Sequence, residues 1–418
     1  MQKIFYNAKI ETIDEKAPNA EAFLVNDENI VFVGSNEEVL QMKQDETELV
    51  DLKNKMVLPA FFNDGLCLFG MIEQKLKESG KEKFIVSNED IDENYENFPN
   101  YEEYKKEFLN LQKQLIKMGV GTIKELFVSI KAFAFWKKLA NDGEIKIDVI
   151  GYVDYKSSKK VMDENCRSYR KYKNHFRLGG YTVSIDGSML EKKAWLNKPY
   201  KHENGYIGYS EFFDEELSFL FKTALEEKKQ LLVFTHGDRA VDQFLRCFEE
   251  TVKKEKVEDV FKPIAMNCGL LSKRQLQKMK EIGIVPSFNV LEFAGNEDYF
   301  KKAIGKGKLK NMQPFLNSKE IGLKFLVHGF ANDFVSNVEI LKKVSERKKH
   351  GLFETAQVVS FDEMLKESFL NSANSCFDFE QKGSLESGKY ANFVVFDEDV
   401  ENLKNDSKID LYIFAEKV

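Results

Sequence analysis

A chain of 418 residues with 43% hydrophobic and 13% aromatic content can bury a large core, which excludes a disordered or purely repetitive protein. Its 69 acidic and 62 basic side chains give a net charge of −7 and are mixed along the sequence, which argues against a nucleic-acid or anionic-membrane partner and leaves a small ligand or a protein. The N-terminus lacks the apolar core of a secretory signal, no apolar run approaches the roughly 18 residues of a membrane span, and five scattered cysteines without a Cys-x-x-Cys pair suggest neither a disulfide framework nor a zinc knuckle. The expected location is the cytoplasm.

Residues 1–55 read as short strands at Lys3–Glu11, Ala22–Val25 and Ile30–Val33, a small helix at Glu37–Lys43, and a period-two stretch at Glu48–Leu52. From there apolar strand-like runs alternate with amphipathic stretches, the pattern of β/α units around a parallel sheet. Eight candidate strands follow at Met56–Phe62, Gly121–Leu126, Ile145–Val153, Tyr181–Ile185, Leu231–Phe234, Pro263–Asn267, Ile284–Phe288 and Leu323–Val327. Helices are expected at Tyr101–Met118, Glu215–Lys228, Arg239–Lys253, Ser272–Ile282 and Asp362–Ala373. Eight such units favour a (β/α)8 barrel over an open doubly wound sheet, and no Gly-rich dinucleotide or P-loop motif follows an early strand. The last forty residues turn β-rich again, Gly383–Asp397 giving a turn-rich approach and a buried strand and Leu411–Ala415 giving another. The expected architecture is α/β: a TIM-like barrel at 56–377 and a small composite β-sandwich module built from 1–55 and 378–418.

Three blocks carry a family resemblance. The run Val57-Leu58-Pro59-Ala60-Phe61-Phe62-Asn63-Asp64-Gly65-Leu66-Cys67-Leu68, the pair Asp186-Gly187-Ser188 and Gly237-Asp238-Arg239-Ala240-Val241, and Gly383-Ser384-Leu385 with Gly388-Lys389 and Ala391-Asn392-Phe393 resemble the amidohydrolase superfamily, and most nearly its N-substituted formamide deformylase-like branch. The resemblance implies a barrel, hydrolysis of non-peptide carbon–nitrogen bonds, and one or two divalent metals, typically zinc, held at the C-terminal ends of the strands.

Position by position, the residues that the resemblance implies for the metal are replaced. Gly65 and Cys67 stand where it implies the first two histidines, Thr182 where it implies a lysine, Phe234 and Asn267 where it implies two more histidines, and Phe330 where it implies an aspartate. Phenylalanine offers no lone pair, and the eighth-strand aspartate is the group that would take a proton from the attacking water. No metal or other cofactor is therefore expected, and the chain reads as a degenerate member acting in ligand binding or regulation. A hydrolase or lyase with a rebuilt site, drawing on His236, His328 and Cys67, or with a metal-free mechanism, is the alternative. A purely structural partner-binding module is a third possibility.

Asp238 is expected to cap a helix, with Arg239 reaching a carboxylate such as Asp186 or lining the pocket beside it. The candidate pocket is thus Cys67, Thr182, Asp186, Phe234, His236, Arg239, Asn267, His328 and Phe330. His175, His202 and His350 lie in polar, loop-like contexts and are expected to face solvent. The partners anticipated are a small-molecule ligand and a second copy in a homodimer.

Overall fold

The structure, a computed structural model, describes residues 2–258, 261–309, 311–329, 334–346, 357–398 and 402, with the backbone of Ile409–Ile413. Two sheets organise it. In the first, strands from both ends of the chain meet: β1 (Gln2–Glu11), β2 (Asn19–Ala20), β3 (Ala22–Asn26), β4 (Asn29–Gly34) and β5 (Glu48–Pro59) from the beginning, and β14 (Phe393–Phe396) and β15 (Ile409–Ile413) from the end. Their order is β15-β14-β5-β1-β3-β4, with β2 on β1, and directions are mixed: β1 runs parallel to β5 and antiparallel to β3. One face is locked by Phe5, Phe23 and Phe393, whose ring centroids lie 4.8 to 5.1 Å apart, within the range where aromatic pairs attract.

The second sheet has eight parallel strands in chain order: β6 (Phe61–Leu66), β7 (Val120–Val128), β8 (Asp148–Asp154), β9 (Phe176–Ser184), β10 (Gln230–Phe234), β11 (Ile264–Met266), β12 (Val285–Asn289) and β13 (Leu326–His328). It curls until β13 returns beside β6, giving a nearly closed barrel. Inside, Phe62, Leu126, Ile150, Tyr152, Leu232, Phe234, Ile264, Met266 and Leu326 form one buried cluster, as expected where strands are covered on both faces.

The expected first barrel strand, Met56–Phe62, divides in two. Met56–Pro59 belongs to the terminal sheet, pairing antiparallel with Phe393–Phe396. The barrel begins at Phe61: Ala60 N donates to Asn392 O at 2.9 Å and Phe61 N to Gly119 O at 2.8 Å. A short apolar run has no periodicity that tells one buried sheet from another, and here its partner strand lies more than three hundred residues away.

The helices Tyr101–Lys117, Asp214–Glu226, Asp238–Glu255, Lys273–Ile282 and Phe361–Ser375 fall where the periodicity puts them. Others, among them Leu68–Glu78, Ile130–Asn141 and Tyr155–Glu164, were not anticipated. The first is instructive. Cys67 at its N-cap makes no side-chain capping bond; instead Glu125, from β7, accepts from Leu68 N at 2.7 Å and Phe69 N at 2.8 Å. These are two of the orphan donors of a helix start, satisfied by tertiary structure, so no local signal marks the helix. Burial pushes the Glu125 carboxyl up to about 8 even though those two N–H groups oppose the shift.

The C-terminal end of helix Phe361–Ser375 closes the barrel floor. Gln230 Nε2 donates to Ser375 O at 2.6 Å, and Arg177 Nη2 to Cys376 O at 2.7 Å and Asp378 Oδ1 at 3.0 Å. Lys382, also buried, pairs with Asp148 and Asp378. With the floor sealed, ligand access is left to the loops at the opposite rim. Among the described residues no helix is long and apolar enough to cross a membrane.

Candidate functional site

The rim is organised by Asp186, two residues past the end of β9. Its buried carboxylate accepts three backbone N–H groups, from His236 at 2.8 Å, Gly237 at 2.9 Å and Trp195 at 2.8 Å. The Asp-Gly-Ser and Gly-Asp-Arg-Ala-Val blocks, fifty residues apart in sequence, are therefore one structural unit. Gly237 must be glycine there, because a Cβ would stand 2.0 Å from Trp195 O.

From Asp186 a chain of side-chain contacts crosses the strand tips. His236 Nδ1 lies 3.4 Å from Asp186 Oδ1, and its Nε2 lies 3.1 Å from Asn267 Nδ2. Asn267 Oδ1 is 2.8 Å from His328 Nε2, and His328 Nδ1 is 2.9 Å from Ser287 Oγ. With the Asn267 amide placed this way, the proton positions follow from what each atom can do. Asn267 Nδ2 only donates, so His236 Nε2 accepts and Nδ1–H points at Asp186. Asn267 Oδ1 only accepts, so His328 Nε2–H donates to it, and His328 Nδ1 accepts from the Ser287 hydroxyl. The relay runs Ser287, His328, Asn267, His236, Asp186, every member buried or half-buried.

The two imidazoles are tuned in opposite directions. Burial, reinforced by the Lys124 ammonium and by His236, lowers His328 to about 3, so it stays neutral at ordinary pH. Burial also opposes a charge on His236, but the Asp186 hydrogen bond and the Glu292 carboxylate outweigh it and raise its pKa. Glu292, from the short helix Val290–Phe293, is raised in turn by burial, which His236 only partly offsets, and it accepts from Ser188 Oγ at 3.3 Å. His236 and Glu292 thus favour each other's charged forms at the rim.

Gly65, at the end of β6, lies against the edge of His328: a Cβ would be 2.9 Å from His328 Cδ2. The ring, held at both nitrogens, fills the volume a side chain at position 65 would need. Below it, Lys124 and Asp64 form an ion pair at 2.6 Å with both side chains nearly inaccessible, and Lys124 also donates to Ser375 Oγ at 2.6 Å.

The other candidates are dispersed. Cys67 lies off the relay, its thiol next to Gly70 and pushed up to about 12 by burial and by Glu125. Thr182 is fully buried in β9, its hydroxyl near the Tyr152 and Val153 carbonyls at 3.4 and 3.3 Å. Phe234 ends β10 and packs on Phe127 at 4.7 Å, an apolar lining for that side of the mouth. Phe330 lies outside the described residues, as does His350.

Three expectations are corrected. The N-cap of helix Asp238–Glu255 is Gly237 and not Asp238, whose Oδ1 instead accepts from Asn197 N at 2.8 Å. Arg239 does not reach Asp186; its guanidinium covers the Trp195 ring at 4.7 Å, because the Asp186 oxygens are already taken by backbone. His175 is half-buried and bonds Asp148 Oδ1 at 2.9 Å, whereas His202 is exposed as anticipated. Ser287 and Glu292 escaped sequence reasoning. Lone polar residues in otherwise apolar runs were their sole signal.

A profile of the amidohydrolase family matches residues 87–412. The chain belongs to the amidohydrolase family. Solved structures agree on the fold: an uncharacterized metal-dependent hydrolase from Pyrococcus furiosus (TM-score 0.79, 18% identity, 96% of this chain and 100% of that one) and one from Pyrococcus horikoshii OT3 (0.81, 19%, 97% and 99%). A zinc-bound adenosine deaminase from Xanthomonas campestris is more distant (0.66, 12%, 99% and 91%). Among curated proteins, the exoenzymes regulatory protein AepA of Pectobacterium carotovorum is 41% identical over 58 residues, 14% of this chain and only 12% of that protein. Within this amidohydrolase-family barrel, no group of three or more His, Cys, Asp or Glu side chains that could hold a metal ion is found among the described residues.

Proposed function

We propose that this amidohydrolase-family protein, of the deformylase-like branch its motifs resemble, has exchanged the divalent metal centre for a hydrogen-bonded relay and works by binding a small ligand at the barrel mouth, in a regulatory role. The observation that carries this reading is Asn267 bridging His236 and His328. A divalent ion needs free lone pairs. Here His328 Nδ1 is spent on Ser287, its Nε2 carries a proton, and His236 Nε2 is spent on Asn267. Cys67 is held as a neutral thiol, and the His328 ring leaves position 65 no room for a histidine. These residues do not fit a divalent metal ion. The regulatory part draws on the likeness, over 58 residues, to the exoenzymes regulatory protein AepA.

Elemental analysis of protein purified without added metal tests the reading. The expected content is far below one ion per chain, with no tight site on titration with zinc; one zinc per chain that is lost in His328→Gln overturns it. A second reading, a metal-free hydrolase or lyase, is favoured by the His236–Glu292 pair, which could serve as general acid and base. Turnover of an amide or ester panel by chelator-treated protein, abolished by Glu292→Gln, would select it.

A further inference from the structure

Outside the relay, on the same loop face, a groove of about 1060 Å³ opens between the segments after β9, β11 and β12 and the start of helix Asp238–Glu255. We propose that it binds a small molecule through a dianionic phosphoryl group.

Lys198, Lys201, Lys306 and Lys308 line it, and among the described residues no carboxylate forms an ion pair with any of the four. On a chain of net charge −7 they give this groove a net positive lining. The acidic residues that share the lining are already engaged. Asp242 is bonded by Arg274 at 3.0 Å, Gln275 Nε2 at 3.0 Å and Asn197 Nδ2 at 2.8 Å; Asp238 accepts from Asn197 N; Glu203 pairs with Lys192.

The lysine-bearing loops are held face to face. Lys201 N donates to Ala303 O at 2.7 Å, Lys308 Nζ reaches Lys198 O at 3.5 Å, and the Lys201 stem lies against Gly305, 3.1 Å from where its Cβ would be. Lys308 is half-buried, and burial, with Lys198 and Lys201 acting in the same direction, lowers its pKa despite Asp238. Asp238 offsets only part of the repulsion among ammonium groups brought together in this way, and an arriving anion relieves the rest. A phosphoryl dianion offers three oxygens to several donors at once and suits point-charge ammonium groups. Leu270, Leu271 and Ile304 supply an apolar wall, and the volume is at the upper end of the roughly 300–1,000 Å³ of small-molecule sites, so the phosphoryl group can carry an organic body.

Calorimetric titration of the whole protein at low ionic strength with phenyl phosphate, inorganic phosphate and succinate tests this. Phenyl phosphate is expected to bind saturably at one site, and the Lys201→Met/Lys308→Met double variant, altered at an exposed and a half-buried position, to bind it at least tenfold more weakly with an unchanged melting temperature. Tighter binding of the ester than of the free ion identifies a phosphorylated metabolite as the ligand, and equal binding identifies inorganic phosphate. No saturable binding of either, equal binding of succinate, or binding unaffected by the double variant overturns the proposal.

Discussion

Asp186→Ala is expected to lose about 3–9 kcal/mol of stability, because three backbone donors, two of them buried, lose their acceptor and each orphaned group costs about 1–3 kcal/mol. The donors are Trp195, His236 and Gly237 N–H. The nearby Asp238→Ala is the control: it removes one exposed acceptor, that of Asn197 N, and should cost about 1 kcal/mol or less. Chemical denaturation of the two variants side by side checks this. If Asp186→Ala unfolds no more readily than Asp238→Ala, the carboxylate is not what joins the two loops, and a direct ligand-binding role for it gains ground.

The second large effect lies deeper in the barrel. Asp64→Leu leaves the Lys124 ammonium buried with Ser375 Oγ as its remaining partner, and Lys124→Met leaves the Asp64 carboxylate with Ser372. Removing one member of a buried pair typically costs about 3–5 kcal/mol, whereas replacing both by apolar groups of similar size is often near neutral. Each single variant should therefore be strongly destabilised, and the double variant should recover most of the loss. A double variant as unstable as the sum of the singles would mean that the pair does not act as a unit. Because the Lys124 ammonium helps to hold His328 neutral, Lys124→Met should also raise the His328 pKa.

Much of the barrel was legible from sequence because its strands are short apolar runs between amphipathic stretches; the expected helix Arg239–Lys253, for example, is Asp238–Glu255 in the structure. What failed was assignment that depends on distant partners. Met56–Pro59 pairs with a strand near the other end of the chain, and helix Leu68–Glu78 is capped by a glutamate 57 residues away. At the rim, motif register alone named Asp186, His236, Asn267 and His328. It could not reveal that barrel closure strings them together, or that Ser287 ends the string, because those contacts join residues 31 to 61 apart on different strand ends. The Asp238 cap failed for a related reason: the N–H groups of Arg239 and Ala240 at the helix start donate to the distant Trp195 O, at 3.1 and 3.4 Å.

The central claim, that hydrogen bonds within the protein and not a cation occupy both rim imidazoles, is tested most directly by the ¹⁵N resonances of the five histidines, assigned by His236→Gln and His328→Gln. The relay predicts His328 as the neutral Nε2–H tautomer, still neutral at pH 5 as a pKa near 3 requires, and unshifted by equimolar zinc. A His328 that protonates near pH 6.5, or ¹⁵N signals of His236 and His328 that move together on adding zinc, would contradict it.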